Sequence, residues 1–240
     1  MTLLPTPADK ERVSFLSADS KESFDAVKKR APPEWRYHTK SITYDMNKHG
    51  YRTLEFDDIK WSDSIVIIGC SVTLGIGLAT DETISSMISN KVDREVINLG
   101  VGGASMLYSM YNASLLKKHY PPPYGVIYAW PHPSRLPFKS DNGIHYLGTW
   151  TKEHAIGYDM YRAWNGSEEN MDFHAEYIKL TSEIMWDGVS KYLSFDLYKH
   201  LIEWKTLNTG ILNRARDTLH ASSEFSEIAS SMIVEKMEKW

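Results

Sequence analysis

Residues Ser64–Gly69 read SIVIIG, a short, uniformly apolar and mostly β-branched run that has the pattern of a strand buried on both faces in a parallel sheet. Two runs of similar kind follow, Glu95–Leu99 (EVINL) and Tyr124–Trp130 (YGVIYAW). Between the first two, a turn-rich stretch leads into a helix over Thr83–Lys91, with Ile84, Met87 and Ile88 on one face and Asp81 as N-cap. Between the second and third, the turn Gly100–Ser105 opens a helix that runs to about Lys118, with Leu107, Met110, Tyr111 and Leu115 at helical spacing. Strands alternating with helices in this way predict an α/β fold with a parallel, doubly wound sheet.

Outward from this segment the pattern weakens. Residues 1–60 are polar, broken by Pro32 and Pro33, and read as an amino-terminal extension that packs on a main domain over residues 61–240. Residues 131–170 show no clear period and read as a long loop placed over the carboxyl ends of the strands, carrying Phe138, Tyr146, Trp150, Tyr158, Tyr161 and Trp164. Helical patterning resumes over Met171–Tyr192, and a fourth strand is expected within His200–Leu207. A final helix places Phe225, Ile228, Ala229, Met232, Ile233 and Met237 on one stripe behind an N-cap at Ser222 or Ser223.

The chain has 240 residues, enough for about 1.6 domains of ordinary size. Its 27 Lys and Arg against 31 Asp and Glu leave a net charge of −4, which offers no basic footprint for nucleic acid or an anionic membrane. The single cysteine, Cys70, excludes an intrachain disulfide framework. The opening Met1–Phe15 lacks the basic and apolar regions of a secretory signal, so a cytoplasmic location is the default expectation, with a phage-encoded or exported context fitting the same sequence. Aromatic residues make up 12 %, an excess that suits the binding of ring-shaped ligands.

Ligands of open parallel sheets bind at the carboxyl ends of the strands, which directs attention to Cys70–Ser71, Gly100–Ser105 and Trp130–Arg135. The turn GVGGAS has Ser105 where a dinucleotide fingerprint needs its third Gly or Ala, and Gly69–Gly77 lacks the Lys of a phosphate-binding loop. No cofactor is therefore expected. A nucleophile fits better. Acyl transfer requires a hydroxyl, a base, a group that orients the base, and N–H donors for the oxyanion. Ser71 follows the first strand directly, and Asp217 precedes His220 by three residues, a spacing that lets the carboxylate fix the imidazole tautomer. The other histidines lack metal-ligand spacing.

In this order the segments resemble the SGNH (GDSL-type) hydrolases. IVIIGCSVTLGIGLATDET (Ile65–Thr83) is similar to the first family block, with Ser71 in the nucleophile's place and Cys70 replacing the usual Asp. VINLGVGGAS (Val96–Ser105) resembles the second, its oxyanion Gly falling on Gly103, and DTLHASSEFSEIA (Asp217–Ala229) the last. NKHGYR (Asn47–Arg52) is similar to a segment that precedes the first strand in some members. The third block departs: where members carry Gly-x-Asn-Asp, this chain reads AWPHPSR, with Trp130, His132 and Pro133 in register with the Gly, Asn and Asp.

The resemblance implies a three-layer α/β/α sandwich with a mainly parallel, flavodoxin-like sheet. It implies an esterase or O-deacetylase acting on a small-molecule or carbohydrate ester, with Ser71, Asp217 and His220 catalytic and Ser71, Gly103 and His132 forming the oxyanion hole. Trp130 and Arg135 are the expected substrate-binding residues, and oligomeric state is left open. Plainer readings stand beside these: Ser71 as a turn residue, Gly103 as a packing glycine, Asp217 with His220 as a helix-terminal pair, Cys70 as nucleophile or packing group, and the 131–170 aromatics as a small core of their own. A non-catalytic carbohydrate-binding or structural module and an O-acyltransferase are the alternative functions.

Overall fold

The computed structural model describes residues 12–141 and 143–240. Residues 1–11, which open the stretch read as lacking a leader, lie outside the described residues, as does Asn142.

A four-stranded parallel sheet lies at the centre, built from β1 (Ile65–Gly69), β2 (Val96–Gly100), β3 (Gly125–Ala129) and, later in the chain, Lys191–Phe195. The strands lie in the order β2, β1, β3 and Lys191–Phe195. Register pairs Ile67 with Asn98 on one side and with Ile127 on the other, so the carboxyl ends of the three leading strands finish level at Gly69, Gly100 and Ala129. Ile65, Val66, Ile67 and Ile68 are at most 1 % exposed, as a run apolar on both faces requires. Each such side chain contributes about 1.5–3 kcal/mol by burial.

Among the described residues, six α-helices precede the last strand of the main sheet. They are α1 (Lys21–Lys28), α2 (Ser71–Leu74), α3 (Ile84–Val92), α4 (Met106–His119), α5 (Tyr158–Trp164) and α6 (Glu168–Trp186). A separate antiparallel hairpin, β4 (Leu136–Ser140) with β5 (Gly143–Leu147), follows β3, and Lys191–Phe195 is β6. The chain ends with α7 (Leu197–Leu207) and α8 (Ser223–Met237). α3 packs on α8 and α4 on α6. The chain crosses from β1 to β2 and back past β1 to β3; with the right-handed crossovers that parallel strands favour, α3 and α4 fall on opposite faces, which gives three layers.

Several local expectations are corrected. His200–Leu207 lies in α7, and the fourth strand is β6, whose half-exposed sequence KYLSF lacks the continuous apolar signature of the other three. The helix expected to reach Tyr192 stops at Trp186. Thr83, not Asp81, caps α3, its side chain accepting from the Ser86 N–H. Ile228 on the α8 stripe is exposed, while Phe225, Ala229 and Ile233 are buried. Residues 131–170 are no loop but the β4–β5 hairpin, α5 and the start of α6. The hairpin stands outside the main sheet and its strands carry Pro137 and Gly143, which hides a strand period.

The segment from Val13 to Met46 holds a second apolar cluster, in which Val27, Trp35, Tyr37, Ile42 and Tyr44 pack with Leu74 and Ile76 from the turn after β1. Arg52 is buried and its guanidinium donates to the carbonyls of Gly75 at 2.8 Å and of Thr43 and Leu78 at 3.0 Å. The NKHGYR segment thus ties down the turn that follows Ser71.

Candidate active site

Ser71 is the first residue of α2, one turn long, directly beyond β1. The backbones crowd closely here: a Cβ on Gly100 would lie 2.4 Å from the Leu74 nitrogen, so only glycine lets β2 end against α2. Asn98 braces the same contact, donating to the Thr73 carbonyl at 2.8 Å.

His220 meets Ser71 from the opposite end of the chain, 149 residues away, with 2.8 Å between Nε2 and Oγ. The residues from Arg214 to Ala221 form a closed loop, pinned by the Arg214–Ala221 bridge and by the Ala215 N–H donating to the His220 carbonyl. Thr218 takes a positive φ of 59° at its tip. Inside the loop Asp217 Oδ1 accepts the Leu219 and His220 N–H groups, both at 3.1 Å, and Oδ2 lies 2.5 Å from His220 Nδ1. A carboxylate only accepts, so Nδ1 carries the proton, Nε2 is left as acceptor, and the Ser71 hydroxyl donates to it. The Asp217 side chain is fully buried and that of His220 is 17 % exposed, so the chain of bonds runs from the interior to an accessible imidazole.

Gly103 lies in the turn after β2 with φ of +78°, a conformation that favours glycine. Among the described residues, neither the Ser71 nor the Gly103 N–H donates to a protein acceptor. Tyr146 of β5 and Trp150 lie over Gly103, within 3.0 and 3.6 Å of where its Cβ would stand. Trp150 is half exposed, and the Arg135 guanidinium sits 5.2 Å from its ring while donating to the Ala104 carbonyl at 3.3 Å. Arg135, Trp150 and Gly103 therefore form one neighbourhood.

His132 follows β3. Its Nδ1 accepts the Ser134 N–H at 3.1 Å and lies 2.6 Å from the Ser134 hydroxyl, which leaves the proton of the neutral ring on Nε2. Burial, with the Arg135 charge adding to it, pushes this imidazole below its ordinary pKa and favours the neutral form.

Trp130 does not face a ligand. It is 1 % exposed, stacks on Tyr128 at 4.5 Å and donates to the Ser194 hydroxyl, which makes it part of the core and corrects the expectation that it binds substrate. Other aromatics of 131–170 also pack inward: Tyr146 lies edge-on to buried Tyr108, and Trp164 donates to the Pro133 carbonyl and stacks on His174. Cys70 is buried beside Ser71.

Sequence reading missed the brace behind the loop. Arg216 and Asp19 form a buried ion pair, with 2.6 Å between Nη2 and Oδ2 and both Asp19 oxygens 3.1 Å from Nε. The Tyr44 hydroxyl donates to Asp19 at 2.5 Å and accepts the Gly77 N–H at 2.8 Å. Arg216 and Asp19 are 197 residues apart, and no local spacing signals their meeting.

Among solved structures the chain is similar to a member of the lipolytic protein G-D-S-L family from Veillonella parvula. The likeness covers 74 % of this chain and 99 % of that one, at 12 % identity and a TM-score of 0.40. Another similar structure is described as that of a carbohydrate esterase with divergent catalytic and non-catalytic binding functions, at 11 % identity and a TM-score of 0.39 over 84 % of this chain and 82 % of that one. No protein-family model matches the chain, and no curated protein matches it. Among the described residues no helix is long and apolar enough to cross a membrane, and no group of three or more His, Cys, Asp or Glu is placed to hold a metal.

Proposed function

We propose that the chain is a serine hydrolase that cleaves an ester through an acyl-serine intermediate. The observation that carries this reading is the unbroken series of hydrogen bonds from Asp217 through His220 to Ser71. Ser71 Oγ attacks the ester carbonyl while its proton passes to His220 Nε2, and the imidazolium that forms is stabilised by Asp217. The developing oxyanion is received by the Ser71 and Gly103 N–H groups. His132, neutral and with its proton on Nε2, carries the type of donor that the family's Asn supplies. Collapse of the tetrahedral intermediate returns the proton from His220 to the leaving alcohol. Water, deprotonated by the same imidazole, then attacks the acyl-serine; the Ser71 Oγ–acyl bond breaks, Oγ takes the proton back from His220, and the acid leaves. Half-exposed Trp150 beside Gly103, with Arg135 next to it, suits an ester carried on a sugar ring.

Turnover of p-nitrophenyl acetate by the wild type and by Ser71→Ala tests the proposal. A loss of about 10³-fold or more is expected, since the remaining oxyanion donors cannot replace the nucleophile. Equal rates refute it and favour a non-catalytic carbohydrate-binding module on the same fold.

A further inference from the structure

Beside the loop that carries Asp217 and His220 is an open surface depression of about 450 Å³, with Arg30, Thr209 and Leu219 exposed among the residues that line it. One wall is the loop itself, through Thr218 and Leu219, the two residues between the carboxylate and the imidazole. The other walls bring together three cations from distant parts of the chain: Arg30 just beyond α1, Lys205 on α7 and Arg214 at the base of the loop. No carboxylate is among the described residues that line it, although buried Asp217 acts on Lys205 from beyond the lining. Lys205 Nζ donates to the Leu219 carbonyl at 3.2 Å, and Arg214 lies 5.9 Å from the Trp204 ring, so these two charges meet a carbonyl and a π-face at close range. In a chain of net charge −4, three clustered cations without an acid among them form a local field of the opposite sign.

The arrangement has a cost that a ligand would remove. Burial, with Arg214 repulsion adding to it, pushes the Lys205 ammonium below its ordinary pKa, and Arg135 acts in the same direction. Asp217 and Cys70 act in the opposite direction but do not offset these effects. Arg guanidinium groups present paired N–H donors that match the geometry of carboxylate and phosphate, and Lys adds a point charge.

We infer that this site binds a small oxyanion, a free carboxylate or phosphate group, through Arg30, Lys205 and Arg214.

The test uses the full-length Ser71→Ala protein, which keeps the cavity and removes turnover. Calorimetric titrations with inorganic phosphate and, separately, with acetate, at an ionic strength held constant with chloride, distinguish the two oxyanions. Saturable binding of at least one is expected, weakened tenfold or more by Arg214→Gln and by Arg30→Gln. Arg30 is exposed, so its replacement leaves the fold intact. Absence of saturation with both anions, or unchanged affinity in both variants, overturns the site.

Discussion

Replacing Asp217 with Asn separates the orienting role of this carboxylate from mere packing. In the wild type Oδ1 accepts two backbone N–H groups at 3.1 Å, from Leu219 and His220, while Oδ2 faces His220 Nδ1. An Asn at this position must keep its carbonyl oxygen toward the two N–H groups, because turning its NH₂ there would leave three donors facing one another in a buried site. Its NH₂ then points at Nδ1 and donates to it. The ring is driven to the tautomer with its proton on Nε2, which can no longer accept the Ser71 proton. The loop stays closed because both backbone donors keep their acceptor, so the variant folds. The expected loss in kcat is about 10³–10⁴-fold, equivalent to roughly 4–5.5 kcal/mol of transition-state stabilisation. Hydrolysis of p-nitrophenyl acetate, read beside the melting temperature, measures it. A fall of less than tenfold with an unchanged melting temperature would refute the claim that Asp217 sets the tautomer.

Other perturbations follow from the same geometry. His132→Ala removes the proposed third oxyanion donor and is expected to lower kcat about 10²-fold with little change in KM, while His132→Asn restores most of it; equal losses in the two variants would count against a donor role. Asp19→Ala strands the buried Arg216 charge and is expected to cost about 3–5 kcal/mol, a fall of roughly 6–20 °C in melting temperature, whereas no shift would show that the pair does not brace the loop. Glu82 offers a pH test. Burial alone would raise its carboxyl, but Lys40, the Ala79 N–H and Arg36 outweigh burial and hold it below the ordinary carboxylate range. Its contribution to stability is therefore present above the unfolded-state value and lost as pH falls through the folded one. Thermal stability of the wild type should drop more steeply across that acid window than that of Glu82→Gln, and parallel curves would contradict the assignment.

The parallel core was legible because β1, β2 and β3 are buried on both faces and so read as continuous apolar runs. β6 was not, because its half-exposed residues dilute the pattern, whereas β2, at the other edge of the sheet, is fully buried. Ser71, Asp217 and His220 could be picked out because the first follows a strand and the other two lie within one turn of loop. The structure brings them together as hydrogen-bonded neighbours. Trp130 misled because sequence register gives no sign of side-chain direction at a strand end, where Tyr128 and Ser194 hold the indole inside. The Asp19–Arg216 pair and the cationic cavity join residues nearly 200 positions apart, and such contacts leave no local spacing to read.

The most direct test of the central claim is chemical: treat the wild-type protein with a fluorophosphonate, which phosphonylates only an activated serine, and map the adduct by mass spectrometry. The account predicts stoichiometric modification confined to Ser71, abolished in His220→Ala, where no base remains to take the hydroxyl proton. An unlabelled protein, or an adduct elsewhere, on Cys70 included, would contradict it.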